Sequence, residues 1–263
     1  MTRTSKIILA CAATAVVVAA VAVKWIFFPS IKDAYFTMNQ QSFRQVPAGL
    51  VLVRPTHFPK STRKGIMSDT IQVSGKRVWR MMGRNVTLQQ LVAMAYGRSQ
   101  ARVVLPASAP QTNFDFLVTV RGDQQQQLQK AIRKKLGLIA RPETRDEEVL
   151  TLKVANGTLP GLTVSDASAK PNVNFKDGKL YFTHMRPSAL TGGLEQMLKL
   201  PVVDKTDLTN FYDFSAGWDS QMQRQIQNEA TATAAIKKIL NGWGLELEPD
   251  SDRVEVLVVK NAT

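Results

Sequence analysis

Apolar and polar positions alternate in the same way at two places in the chain. From Phe114 to Val120, Phe114, Phe116, Val118 and Val120 share one face, and Asp115, Leu117 and Thr119 share the other. Strict alternation of this kind predicts a half-buried strand. The pattern returns from Phe211 to Trp218, with Tyr212, Phe214, Ala216 and Trp218 on one face. Helical spacing also recurs. Leu88, Leu91, Val92 and Ala95 form one apolar stripe, and Leu128, Ala131, Ile132 and Leu136 form a second. Their later counterparts are Leu190, Leu194, Met197 and Leu198, then Ala232, Ala235, Ile236, Ile239 and Leu240. Leu136-Gly137-Leu138 and Trp243-Gly244-Leu245 end the second helix of each set.

Short apolar runs complete each copy. Leu50–Arg54, Arg77–Met82, Arg102–Leu105, Leu180–Thr183 and Pro201–Asp204 predict strands. Leu138–Ala140 with Val149–Val154, and Leu245–Glu248 with Arg253–Val259, predict a hairpin around a polar turn in each copy. Asn85 or Thr87 caps the first helix, and Ser188 caps its counterpart. The expected fold is α+β, with two tandem, related βαββαββ-like units whose helices pack on mixed sheets. The expected boundaries are 1–28 for an N-terminal transmembrane helix or signal-anchor and 29–49 for a stalk. Residues 50–155 make the first unit, 156–178 a linker rich in Gly, Pro, Ser, Asn and Lys, and 179–263 the second unit.

Ile7 to Val23 is an apolar run after a short basic start, Arg3 and Lys6, and Trp25-Ile26-Phe27-Phe28 extends it past Lys24. A membrane anchor over residues 7–28 is preferred. Lys24 would snorkel and Trp25 would sit in the aromatic belt. Cleavage after Ala22 would instead release a secreted protein. Both readings place the bulk of the chain outside the cytoplasm.

The net charge of +13 favours anionic surroundings. Cys11 is the single cysteine, so no disulfide within the chain and no cysteine metal site arises. His57 and His184 are far apart and lack partners at ligand spacing, so no metal or cofactor is expected. No nucleophile elbow, Ser-x-x-Lys or phosphate-loop motif occurs, and no catalytic set is assigned. Gly192-Gly193 interrupts a helix pattern, where it would permit close packing.

One polar segment joins two predicted strands, from Asp204-Lys205-Thr206 through Asp207 and Asn210 to Tyr212-Asp213. Asp204 or Thr206 can fix this turn through side-chain-to-backbone bonds. Asp204, Lys205, Thr206, Tyr212 and Asp213 are the binding candidates.

Asn85-Val86-Thr87-Leu88-Gln89-Gln90-Leu91 with Ala95-Tyr96-Gly97 resembles the first signature of a bacterial family known as soil-associated proteins. Pro201-Val202-Val203-Asp204-Lys205-Thr206, with Leu208 and Tyr212-Asp213-Phe214, resembles the second. The likeness runs from about Leu50 to the C-terminus. Where the family pattern carries turn glycines, this chain has Asp207 and Asn210. The resemblance implies secreted or membrane-anchored proteins of no established activity. Related domains are also found attached to membrane metallopeptidases that look like antibiotic sensors, which hints at an extracytoplasmic sensing or docking role. The expected function is a non-enzymatic, extracytoplasmic binding or docking module. Its expected partners are the inner membrane through residues 7–28 and an envelope protein or anionic envelope polymer. A wall hydrolase using Asp204 and Asp213 as an acid–base pair is the alternative from another class. Nucleic-acid binding fits the charge but not the location.

Overall fold

The computed structural model describes residues 31–262 except 60, 74 and 228. The expected transmembrane helix over residues 7–28 lies outside them. The longest described helix, Glu229–Gly242, has 14 residues, and a span needs roughly 20 apolar ones. Among the described residues no helix is long and apolar enough to cross a membrane. The fold class is corrected accordingly to α+β with mixed sheets, without the spanning helix. The chain divides into two compact units, one of residues 31–91 and 111–135, the other of 92–110 and 136–262.

In the first unit, β1 (Val51–Pro55), β2 (Gly65–Val73), β3 (Lys76–Val86) and β5 (Phe114–Val118) form an antiparallel sheet in the order β1-β5-β3-β2. The stretch read as a stalk forms α1 (Ile31–Ala34) and α2 (Gln40–Gln45). Asn39 caps α2 by accepting from the Ser42 N–H at 3.0 Å. Phe36, Phe43 and Val46 are buried against Met82 and Leu117. A stalk needs no such apolar face; these residues build a core. Arg80 is buried beneath them, and its guanidinium donates to the Val46 carbonyl at 2.6 Å. Helix α3 (Leu88–Tyr96) follows β3. Thr87 and Gln90 bond each other's backbone N–H at its start, a capping box. Helix α4 (Gln124–Leu136) follows β5.

The second unit holds two sheets. One contains β7 (Thr163–Val164), β8 (Asn172–Lys176), β9 (Lys179–Met185) and β11 (Tyr212–Gly217), in the order β7-β11-β9-β8. The stretch read as a linker thus supplies β7 and β8. The other contains β4 (Val103–Val104), β6 (Leu138–Val154), β10 (Val202–Asp204) and β12 (Leu245–Asn261), in the order β10-β6-β12-β4. Helices α5 (Leu190–Leu198), α6 (Ser220–Gln227) and α7 (Glu229–Gly242) complete the unit. A short 3-10 turn over Pro187–Ala189 leads into α5 without a side-chain cap, so Ser188 does not cap it as expected.

Neither predicted hairpin forms. Strands β6 and β12 are each 17 residues long without a break and pair antiparallel from Leu138↔Asn261 to Val154↔Leu245. Arg141–Glu148 carries no glycine to turn the chain. Its charges pair instead: Glu143 accepts from Lys260 at 2.5 Å and from Arg145 at 2.7 Å. Pro142 sits opposite Leu257, which pairs with β4 on its other side, and Pro249 sits opposite Leu150, which pairs with β10 on its other side; neither proline has a second strand beside it.

The two copies run through the same elements, and they exchange strands. β10 of the second copy lies parallel to β6 of the first, with Val202 beside Leu150. β4 of the first copy lies parallel to β12 of the second, with Val103 beside Leu257. Arg102, just before β4, reaches Glu195 of α5 at 2.6 Å, and the same carboxylate accepts the Val202 N–H at 3.0 Å. A second device also repeats. Asn85 at φ 56° and His184 at φ 53° are left-handed, and each sits by a register shift in its sheet. The Asp115 carboxylate accepts the Asn85 N–H at 3.0 Å, and the Asp213 carboxylate accepts the His184 N–H at 2.8 Å.

Two predictions follow from this packing. In chains 31–155 and 156–262 made separately, β6 and β12 are expected to stay unpaired, because each is the other's main neighbour; circular dichroism of each half, then of the mixture, checks this as strand signal gained on mixing. Gly83 lies under the Phe116 ring, and a Cβ there would come within 2.1 Å of it. Gly83→Ala is expected to cost about 1–3 kcal/mol by overpacking, read as a lower urea midpoint at unchanged slope.

Candidate functional site

The segment singled out by sequence leaves β10 and enters β11. Asp204 accepts from the Thr206 N–H at 2.9 Å and from the Thr206 hydroxyl at 2.7 Å, and the Leu208 N–H donates to the Thr206 hydroxyl oxygen at 3.3 Å. Thr206 is buried. Asp207 takes φ 56°, in the left-handed region that Asp tolerates better than most residues. These bonds make a side-chain-fixed turn. The Lys205 ammonium lies 2.8 Å from Asp252 and 3.2 Å from Asp250, both on β12. Those two carboxylates raise its pKa, Asp252 more than Asp250. Tyr212 is buried among Leu150, Leu152, Phe214 and Trp243 as a core residue.

Asp213 is held by its neighbours. Besides the His184 N–H it accepts the Ser165 hydroxyl. The Ser165 hydroxyl, then the His184 N–H, hold its carboxyl below the usual carboxylate range. Ser165, His184 and Asp213 thus meet at one corner, but without the geometry of a nucleophile and base. His184 contributes its backbone N–H. Its ring stacks on Phe211 at 4.0 Å between centroids, and its Nδ1 is buried without a hydrogen-bond partner. The Arg186 guanidinium lies 4.6 Å from the centroid of the same Phe211 ring. Among the described residues no group of three or more His, Cys, Asp or Glu is arranged to hold a metal.

The structure gives each of the five candidates a hydrogen-bond, ion-pair or packing partner within the chain, and it presents two other features. The first is an apolar recess of about 190 Å³ in the second unit, bordered by Phe182, Met197, Trp218, Ile226 and Trp243. Gly193 also borders it, and a Cβ there would meet nothing within 4 Å. Gly192-Gly193 thus leaves space where the sequence suggested close packing. The second feature is β8, an outer strand of its sheet with all 5 residues exposed. Val173 and Phe175 are 51% and 56% exposed. They pair with Phe182 and Leu180 of β9 and so face the same way as those recess residues. Lys176 ends the strand, Lys170 precedes it and Lys179 begins β9, and all three are exposed. The one available signal was the alternation of Val173 and Phe175, hidden in a stretch whose composition reads as linker.

The acid side of stability follows from these carboxylates. The folded state lowers the pKa of Asp213, Asp250 and Asp252. Their contribution is full above the unfolded carboxylate value, about 4. It is lost as pH falls through the lowered folded values. Asp213→Asn is expected to cost about 1–2 kcal/mol at neutral pH and to make the decline towards about pH 3 shallower. Urea titrations at both pH values check this, and an equally steep decline in the variant would refute it.

No curated protein and no solved structure is detectably similar to this chain. A family model described as "Protein of unknown function (DUF3738)" matches residues 89–262, from α3 to the end of β12. With well over half of its length matched, the chain belongs to the DUF3738 family.

Proposed function

We propose that the protein is a non-enzymatic binding module that docks an extended segment of a partner protein on β8. The observation that carries this reading is the open edge itself. Outer strands present unpaired N–H and C=O groups, and proteins commonly blunt them with charge, proline or a covering element. Here the edge strand is Asn172-Val173-Asn174-Phe175-Lys176, with two large apolar side chains exposed on one face. An added strand would gain main-chain hydrogen bonds, and its alternate apolar side chains would extend the surface of Val173 and Phe175. The exposed Lys170, Lys176 and Lys179 favour acidic residues in the partner segment.

The carboxylates weighed for acid–base chemistry support the same reading, since Asp204 is spent on its turn and Asp213 on the His184 corner. The proposal includes an extracytoplasmic setting. The apolar leader Ile7 to Val23 behind Arg3 and Lys6 fits export, and the resemblance to soil-associated bacterial proteins implies secretion.

A synthetic peptide alternating Val or Phe with Glu tests the docking site. Hydrogen exchange at the β8 amides is expected to slow when it binds, and binding is expected to weaken with salt. Phe175→Lys should abolish binding while shifting stability by no more than about 0.5 kcal/mol, as befits an exposed position. Undiminished binding by that variant would remove the proposal.

A further inference from the structure

We propose that the apolar recess of the second unit is a binding site for a neutral aliphatic or aromatic molecule on the order of eight carbons in size. It is distinct in chemistry from the strand-docking edge. The recess measures about 190 Å³. Protein interiors hold few voids larger than a water molecule, and a water occupies about 30 Å³ of liquid. Every residue bordering the recess is apolar. The Trp243 indole N–H already donates to the Ser215 carbonyl at 2.7 Å. A stable buried water needs about two to four polar partners, and no such set converges here. An enclosed hydrocarbon-walled cavity of about 150 Å³ takes up benzene, and this recess offers a somewhat larger apolar volume that opens at its rim.

Three features make the recess more than a packing fault. Gly193 lies inside α5, where glycine weakens a helix relative to alanine. It is exposed at the border of the recess, and a Cβ there would meet nothing within 4 Å, so the position leaves the mouth of the recess unobstructed. Helix α6 has no counterpart in the first copy, where residues 119–123 alone join β5 to α4. Ile226 of that extra helix borders the recess. Met185 and Met197 supply flexible, polarizable walls that adapt to a guest. A firmer wall comes from Phe182 stacked on Phe214 at 4.8 Å and from Trp243 at 4.7 Å from Phe214. Trp218 and Ile226 are only half-buried, so the rim meets solvent.

The test uses the full chain with octan-1-ol as the probe and hexane-1,6-diol as the polar control. Octan-1-ol is expected to raise the melting temperature in a concentration-dependent way and to shift the emission of Trp218 and Trp243; the diol does neither. Gly193→Leu places a bulky apolar side chain at the mouth of the recess. It is expected to melt above the unmodified protein and to lose the response to octan-1-ol. Gly193→Ala is the milder companion, expected to bind about four-fold more weakly. No response in the unmodified protein, an equal response to the diol, or a full response in both Gly193 variants would overturn the proposal.

Discussion

Strands β6 and β12 depend on each other along their whole length, and each has its other neighbour supplied by the opposite copy. Val202 lies beside Leu150, and Val103 lies beside Leu257. Neither copy can complete its long strand's sheet from its own residues. The burial of Leu150, Leu152, Leu245 and Leu247 in one apolar cluster therefore requires elements far apart in the chain. Such non-local pairing closes large loops before it is rewarded, which makes folding slow and all-or-none. The Arg102–Glu195 pair lies at one of these exchanged contacts. Glu195 is buried and Arg102 partly so, and removing Arg102 would leave a buried carboxylate without its cation, so the pair favours this register over others.

Duplication explains what the copies kept and where they parted. Both keep an aspartate that clamps a left-handed residue, Asp115 on Asn85 and Asp213 on His184. Both keep a glycine at the helix end, Gly137 and Gly244, at positive φ. These are framework constraints, and they hold whatever the protein binds. The divergence is in the apolar faces. In the first copy the Phe116 ring occupies the space above Gly83. In the second, Phe182 stacks on Phe214, and α6 is added beside the wall they form. Where the first copy has Phe116 against Gly83, the second has an apolar recess beside Phe182.

The strands Phe114–Val118 and Tyr212–Gly217 and the helices α3, α4, α5 and α7 were legible because each shows one clean period. The long strands were not. Their centres, Arg141–Glu148 and Glu248–Arg253, are polar on both faces, and a ribbon exposed on both sides loses the alternation that marks a strand. Residues 29–49 read as a stalk because Phe36 and Phe43 are isolated in polar sequence; only the tertiary contact with Met82 and Leu117 gives them a core. The motif around Asp204 and Asp213 was conspicuous because polar residues that build turns look the same in sequence as polar residues that bind. The recess was invisible for the opposite reason. Its walls come from two strands and three helices, and each wall residue reads as ordinary core.

Pro142 and Pro249 occupy matching places on the two long strands, each on a margin that no further strand covers. A proline has no amide hydrogen to offer and cannot join a growing ladder. The ribbon is therefore poorly suited to templating fibrils, although it is the longest stretch of β-structure in the chain. A margin left open to a further strand is then β8, the edge on which a partner segment is proposed to dock.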